Sequence, residues 1–213
     1  IHAHVGYQYD EAIYVDSAVF ALHGVGMPPT RDFGRWTAVH GRRWPLMIIP
    51  YVGTTKALVA LPLFAVFGIT PEVARLSGVA LGCVGIAGLV TLVGIEVSPL
   101  AGLIVGALLA IHPSYLDLTV FDNGGVSVWM AAMGLVSLAL ANHLRRRTRP
   151  SALLLGIAGG LGIWARLNVL WLIASVIAAA LFVYGRRAIP PKAQIGAMAL
   201  GICCGAFPLV LYE

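Results

Sequence analysis

Polar and apolar residues are unevenly divided along this chain. The first 49 positions mix the two, whereas from Pro50 onward the sequence is nearly continuous hydrocarbon. Apolar runs occupy roughly 74–94, 99–117, 124–143, 151–165, 167–185 and 194–212. Each except 151–165 approaches the ~20 residues with which a helix crosses a bilayer. An earlier run, 50–68, is short, carries Lys56 near its start and contains Pro62. In the polar part, 10–22 reads as a helix lying in the membrane interface. Ile13, Val19, Phe20 and Leu22 supply its apolar side, and Asp10, Glu11 and Asp16 its wet edge. His23-Gly24-Val25-Gly26-Met27-Pro28-Pro29 then breaks it. The expected fold is all-α: a polytopic membrane helical bundle over 50–213, preceded by an extracytoplasmic loop, 1–49, that carries the interfacial helix.

Composition sharpens the class. Only 11% of the 213 residues are charged, 59% are apolar and the mean hydropathy is +0.88. A soluble domain carries roughly 25% charged residues, so this is the composition of an integral membrane protein. Fourteen Lys and Arg against nine Asp and Glu leave a formal charge of +5. The cations cluster in loops, which argues topology and not nucleic-acid binding. Cys83, Cys203 and Cys204 all fall inside apolar runs without a Cys-x-x-Cys or Cys/His spacing, and read as small packing residues. No signal peptide is visible; a chain that opens on Ile1 and closes on an apolar run at Glu213 reads as a segment of something longer, with a first membrane helix ahead of Ile1.

Charge also orients the helices. Arg145-Arg146-Arg147-Thr148-Arg149 is the strongest cytoplasmic signal, and Arg186-Arg187 with Lys192 the second. The residues between them then form a hairpin whose tip, Ala165-Arg166-Leu167-Asn168, points to the other side. Counting backwards puts Asp122-Asn123-Gly124 outside, and the start of the 74–94 run outside as well. If 1–49 is also outside, 50–67 has both ends on one face and dips or lies along the interface; the alternative puts 1–49 in the cytoplasm and lets 50–67 cross. The first is preferred, because it brings Asp10, Glu11, Lys56, Asp122 and Arg166 onto one membrane face.

Each of these groups has a bland reading beside a chemical one. The Asp10-Glu11 pair suits a tuned acid or base at a low-dielectric wall, and equally a helix start. Asp122 could be an N-cap. Lys56 and Arg166 could snorkel to the headgroups. Arg31, Arg35, Arg42 and Arg43 with Trp36 and Trp44 suit interfacial anchoring, or capture of a phosphate by bidentate guanidinium donors. Glycines at 78, 82, 85 and 88, and the stretch Gly156-Ile157-Ala158-Gly159-Gly160-Leu161-Gly162, read as close-packing helix faces. No strand precedes them, so they are not nucleotide loops.

The order of these features resembles one known group. YDEAIYVDSAVFALHGVGMPP is similar to the first extracytoplasmic loop of the GT-C glycosyltransferases, in particular the protein O-mannosyltransferase-like and aminoarabinose-transferase-like members (families 39 and 83). YVGTTKALVALPLFAVFG, with Arg75-Leu76 soon after, resembles that group's Tyr-x-Gly-x-x-Lys … Pro … Phe-Gly … Arg-Leu stretch. HPSYLDLTVFDNGGVSVWM resembles the segment with its second acidic residue, and GLGIWARLNVLWL its basic hairpin tip. The likeness spans most of 7–185; the individual motifs are loose, and their order is the specific part. Three departures stand out: Arg166 occupies a position where Lys is common, Asp117 competes with Asp122, and the group's usual carboxyl-terminal part is not found in these residues.

The resemblance implies a polyprenyl-phosphate donor carrying one sugar, a lipid, glycan or protein acceptor, and an active site on the extracytoplasmic face of a bacterial inner (plasma) membrane. It maps the general base to Asp10, with Glu11 and Asp122 as the other catalytic carboxylates, and implies inversion at the anomeric carbon. Chemistry asks the same of these residues: a base within ~3 Å of the acceptor proton, and cations where the leaving phosphate gathers charge. Lys56, Arg166, Arg42 and Arg43 are the candidate phosphate ligands, and Tyr9, Tyr14, Tyr51 and Asn123 the candidates to line the substrate. The carboxylate pair could hold a divalent cation through oxygen ligands, though nothing in the sequence demands one. Membrane lipids are the other expected partners, and nucleic acid is not. Two rival classes are a transporter or lipid flippase, which would favour broken midplane helices with internal repeats, and a non-catalytic membrane subunit, which would tolerate Asp10→Asn.

Overall fold

The computed structural model describes residues 6, 9–24, 36–39, 42–49, 51–121, 125–185 and 189–212, with backbone alone at 9–10, 36–39, 42–45, 49, 180, 183–184 and 212. In chain order it comprises α1 (Tyr9–His23), the strands β1 (Trp36–Val39), β2 (Arg42–Pro45), β3 (Met47–Ile49) and β4 (Val52–Gly53), then α2 (Thr55–Phe67) and α3 (Pro71–Glu96). There follow α4 (Pro99–Ile111), α5 (Pro113–Val120), α6 (Val126–Arg146), α7 (Arg149–Ala165), α8 (Val169–Tyr184), α9 (Lys192–Gly205) and α10 (Phe207–Tyr212). The chain is mostly helical, but not purely so. β1 pairs antiparallel with β2, and β3 with β4, in a region expected to hold no strands. Aromatic and β-branched residues such as Trp36, Thr37, Val39 and Trp44 explain it, since they favour a pleated surface over a helix.

Local chemistry fixes several helix starts. Thr70-Pro71, Ser98-Pro99 and Thr148-Arg149-Pro150 each put a hydroxyl at the N-cap and a proline in the first turn. Thr70 Oγ1 accepts from Val73 N, and Ser98 Oγ from Ala101 N. The expected run at 99–117 is broken where Pro113 drives His112 out of helical geometry (φ −71°, ψ 120°), and α4 and α5 meet at a 63° bend.

Among the described residues two helices, α3 and α6, are individually long and apolar enough to cross a membrane, and the bent α4–α5 pair makes up to three such spans. That is fewer than the six runs anticipated. The runs at 151–165, 167–185 and 194–212 appear as α7 with 17 residues, α8 with 16, and α9 of 14 residues followed by α10 of 6. The chain turns at Arg166, Gly185 and Ala206, and so shortens them.

Helix packing runs through glycine. On α3, a Cβ at Gly78 would strike the Thr119 carbonyl, one at Gly85 the Met130 carbonyl, and one at Gly88 the backbone of Gly134. α5 and α6 therefore lie directly on the α3 backbone. Gly156 and Gly160 of α7 meet Gly201 and Gly205 of α9 in the same way. The α7–α9 seam repeats at a spacing of four on both helices, the small-xxx-small pattern that lets helices approach closely in an apolar setting, and the α3 glycines 78, 82, 85 and 88 recur at three to four. The outward surfaces are apolar: α4 exposes Leu100, Leu103, Ile104, Leu108 and Ile111 while burying Gly102 and Gly106. Cys83, Cys203 and Cys204 also lie exposed, on outward faces and not in the packing seams expected of them.

Candidate functional site

Among the described residues, one end of the bundle gathers the buried Glu, Lys and Arg side chains. Its base is α1, whose buried face is Glu11, Tyr14, Val15 and Ala18, at the i, i+3, i+4, i+7 spacing of one helical stripe. This is not the face anticipated from Ile13, Val19, Phe20 and Leu22; Leu22 is exposed, and Val19 only borders the core. Small residues win because α1 lies against α2: Val15 and Ala18 pack with Ala57, Ala60, Phe64 and Ala74.

Burial of Glu11 in that stripe is offset by Arg75, in the second turn of α3. Arg75 Nε donates to Glu11 Oε1 at 3.1 Å and Nη2 to Oε2 at 3.2 Å, while Nη2 also donates to the Gly6 carbonyl at 3.0 Å. The guanidinium lies 5.1 Å from the centroid of the Phe121 ring, at the end of α5. Glu11 is 1% exposed and Arg75 6%. This two-pronged pair ties α1, α3 and α5 together, and Glu11 is held in it.

Lys56 is fully buried in the first turn of α2. Val59, one turn on, packs against Leu81, Val128, Ala131 and Ala165, whereas Ala60 packs against α1. Lys56 shares the stripe of both, so it leaves α2 between α1 and the meeting point of α3, α6 and α7. α2 has 13 residues, about 20 Å of helix, too short to cross a ~30 Å hydrocarbon core.

The tip between α7 and α8 closes this end. Arg166 turns out of the helix into extended geometry (φ −160°, ψ 120°) and bridges Val52. Leu167 N donates to the Tyr51 carbonyl at 3.1 Å, and Trp164 Nε1 to the Leu46 carbonyl at 2.9 Å. A Cβ at Gly53 would collide with Trp164, so β4 runs flush against the end of α7. Arg166 is half-buried, and its Nε has no hydrogen-bond partner among the described residues. Tyr14 is buried with Ile48 and Val52, its ring against Gly125 at the start of α6. Gly125 has φ +70°, where a side chain would be strained as well as crowded by that ring.

Of the residues singled out from sequence, the structure thus brings Glu11, Tyr14, Lys56 and Arg166 to one end, with Tyr51 half-exposed beside Arg166. Tyr9 and Asp10 lie in the first turn of α1, and Arg42 and Arg43 on β2 opposite Val39 and Ala38; the side chains of these four are outside the described residues, as are Asp122 and Asn123 altogether. Asp117 of α5 is exposed. Sequence reasoning passed over Arg75 as the partner of Glu11, although an Arg inside an apolar helix signals a buried counter-charge. Thr54, Thr55 and Trp164 gave no such signal. Among the described residues no three His, Cys, Asp or Glu side chains converge as a metal site would need. Neither a family model, nor a curated protein, nor a solved structure matches this chain.

Proposed function

We propose that this chain is the membrane part of a GT-C-like glycosyltransferase, which moves a sugar from a polyprenyl-phosphate donor to a hydroxyl acceptor on the extracytoplasmic face of a bacterial inner membrane. The observation that supports this most is the division of labour around α1. Glu11 is locked by Arg75 in the first turns of the helix that also carries Asp10, while Lys56 and Arg166 bring positive charge to the same end of an apolar helical chain.

In this reading Glu11 is a positioning residue and Asp10 the base. The acceptor oxygen attacks the anomeric carbon, Asp10 takes the hydroxyl proton, and the bond from that carbon to the phosphate oxygen breaks with its electron pair. The lipid phosphate departs as an anion, which Lys56 and Arg166 stabilise more strongly than they stabilise the intact donor. Asp122 orients a sugar. Burial of Lys56 and Arg75–Glu11 keeps the local dielectric low, and so makes each of these interactions stronger than in water.

The test is transfer of radiolabelled sugar from polyprenyl-phosphate donors in membranes that hold the full-length protein at matched abundance. Asp10→Asn is expected to lower transfer by about 10²–10⁴-fold, the contribution of a positioned base, with donor binding retained. Transfer by Asp10→Asn at the wild-type rate would remove Asp10 from the mechanism. No transfer by the wild type across several donors would overturn the enzyme reading in favour of a transporter or a subunit.

A further inference from the structure

The turn from α6 to α7 collects positive charge where an apolar helix stops. α6 is long and apolar enough to cross a bilayer, and it ends on Arg145 and Arg146. Arg147 and Arg149 follow in the turn, and all four are exposed. A fifth cation comes from another element: Lys192 opens α9 and is exposed as well. Two observations put the start of α9 against the arginine turn. Gly156 and Gly160 of α7 meet Gly201 and Gly205 of α9 in that order, so the two helices run in one direction and begin at the same end. In the first turn of α9, Gln194 Nε2 donates to the Arg147 carbonyl at 2.6 Å.

The protein itself does not answer this charge. Among the described residues none of the five side chains is in a salt bridge or a side-chain hydrogen bond. α3 runs alongside α6 in the same direction, with Gly78 against Ser127 and Gly88 against Gly134. Glu96, which ends α3, is therefore the one described acid at this end, and it is exposed and outside any ion pair. Like charges so crowded repel one another, yet short bonds hold them in place. Thr148 and Ser151 cap α7 reciprocally, and Ser151 Oγ lies 3.0 Å from the ring of the buried His143. Arg147 is kept at φ +47°, a left-handed conformation that a side chain adopts only at a cost. A turn ordered in advance loses little freedom when it binds a ligand. Guanidinium groups offer paired N–H donors to phosphate oxygens, and phospholipid phosphates lie at the level where a membrane span ends.

We propose that the α6–α7 turn and the start of α9 form a docking site for the headgroup of an anionic phospholipid of the surrounding bilayer. Arg145, Arg146, Arg147, Arg149 and Lys192 supply its positive charge, and the bond from Gln194 to the Arg147 carbonyl ties its two elements together. The site lies at the opposite end of the bundle from Glu11, Lys56 and Arg166, and it does not depend on the proposed activity.

The experiment follows binding of a tail-labelled fluorescent phosphatidylglycerol to the full-length protein in neutral detergent micelles. Unlabelled phosphatidylglycerol, phosphatidylcholine, inorganic phosphate and polyglutamate are the competitors. Phosphatidylglycerol is expected to displace the label, and phosphatidylcholine is not. Lys192→Gln should weaken affinity about fivefold, the effect of one cation near an anionic headgroup, and the triple variant Arg145→Gln/Arg146→Gln/Arg149→Gln about a hundredfold. Gln194→Leu changes no charge, so a diffuse attraction to a positive surface would leave its affinity unmoved; loss of the tie is expected to weaken it about fivefold. Lys192 is exposed, so Lys192→Gln should melt with the wild type when no lipid is present, and its weaker binding then reports contact and not folding. Equal displacement by phosphatidylcholine, or wild-type affinity in both Gln194→Leu and Lys192→Gln, would overturn the site. Displacement by inorganic phosphate or polyglutamate at the concentration where phosphatidylglycerol acts would overturn the lipid, in favour of a free anion or an acidic protein.

Discussion

The two ends of the bundle carry the same residue types in opposite circumstances. At the end built by α1, α2 and the α7–α8 tip, Glu11, Lys56 and Arg75 are buried. At the other, Arg145, Arg146, Arg147 and Arg149 are all exposed on the turn from α6 to α7. That turn is nonetheless ordered by short-range bonds. Thr148 and Ser151 form a capping box, Ser151 Oγ lies 3.0 Å from His143 Nδ1, and Gln194 Nε2 of α9 donates to the Arg147 carbonyl at 2.6 Å. The exposed arginines act through the bulk: they face the surroundings, which screen each of them from the others. The buried charges act on each other, and a cation whose position is fixed in a dry setting can do chemistry that a solvated one cannot.

Substitution should separate the two ends steeply. Glu11→Gln strands a buried guanidinium and is expected to cost about 3–5 kcal/mol of stability, as is Arg75→Met. The double variant Glu11→Leu/Arg75→Met should recover most of that, since neither charge is then left alone. Reversible unfolding in mixed micelles measures all three, and a double variant as unstable as the sum of its parts would mean that the pair is not the coupling unit. Next in size is Trp164→Phe, which leaves the Leu46 carbonyl without its donor. It should cost about 1–2 kcal/mol and speed proteolysis within 46–53 specifically; unchanged cleavage would show that the tip does not depend on this bond.

The opposite end should respond less. Ser151→Ala removes the reciprocal cap and the His143 contact, for about 1 kcal/mol. Smallest of all, Arg145→Gln, Arg146→Gln and Arg149→Gln should each stay within roughly 0.5 kcal/mol in the same unfolding assay. Any of these three matching Glu11→Gln would erase the contrast between buried and solvated charge.

Much of this was legible in the sequence for physical reasons. The Ser/Thr-Pro starts of α3, α4 and α7 are local codes, and the glycines at 78, 85 and 88 declare a close-packed face by spacing alone. Asp10–Glu11, Lys56 and Arg166 stood out because charge beside hydrocarbon is costly. The hairpin of β1 and β2 was missed, since four-residue strands give a weak periodic signal beside strong apolar runs.

What the sequence determined by itself, then, was a helical chain of membrane composition with a few charges that had to be accounted for. Composition and period set that, because they are sums over local preference. Which charge answers which was decided only by tertiary structure. Glu11 and Arg75 are 64 positions apart, and Leu46 and Trp164 are 118 apart. The buried face of α1 turned on which neighbour would lie against it: α2 offers alanines at 57 and 60, so the close contact went to Val15 and Ala18 and the larger Leu22 was left outside. Pairings of that kind depend on the packing of whole helices, and no local pattern carries them.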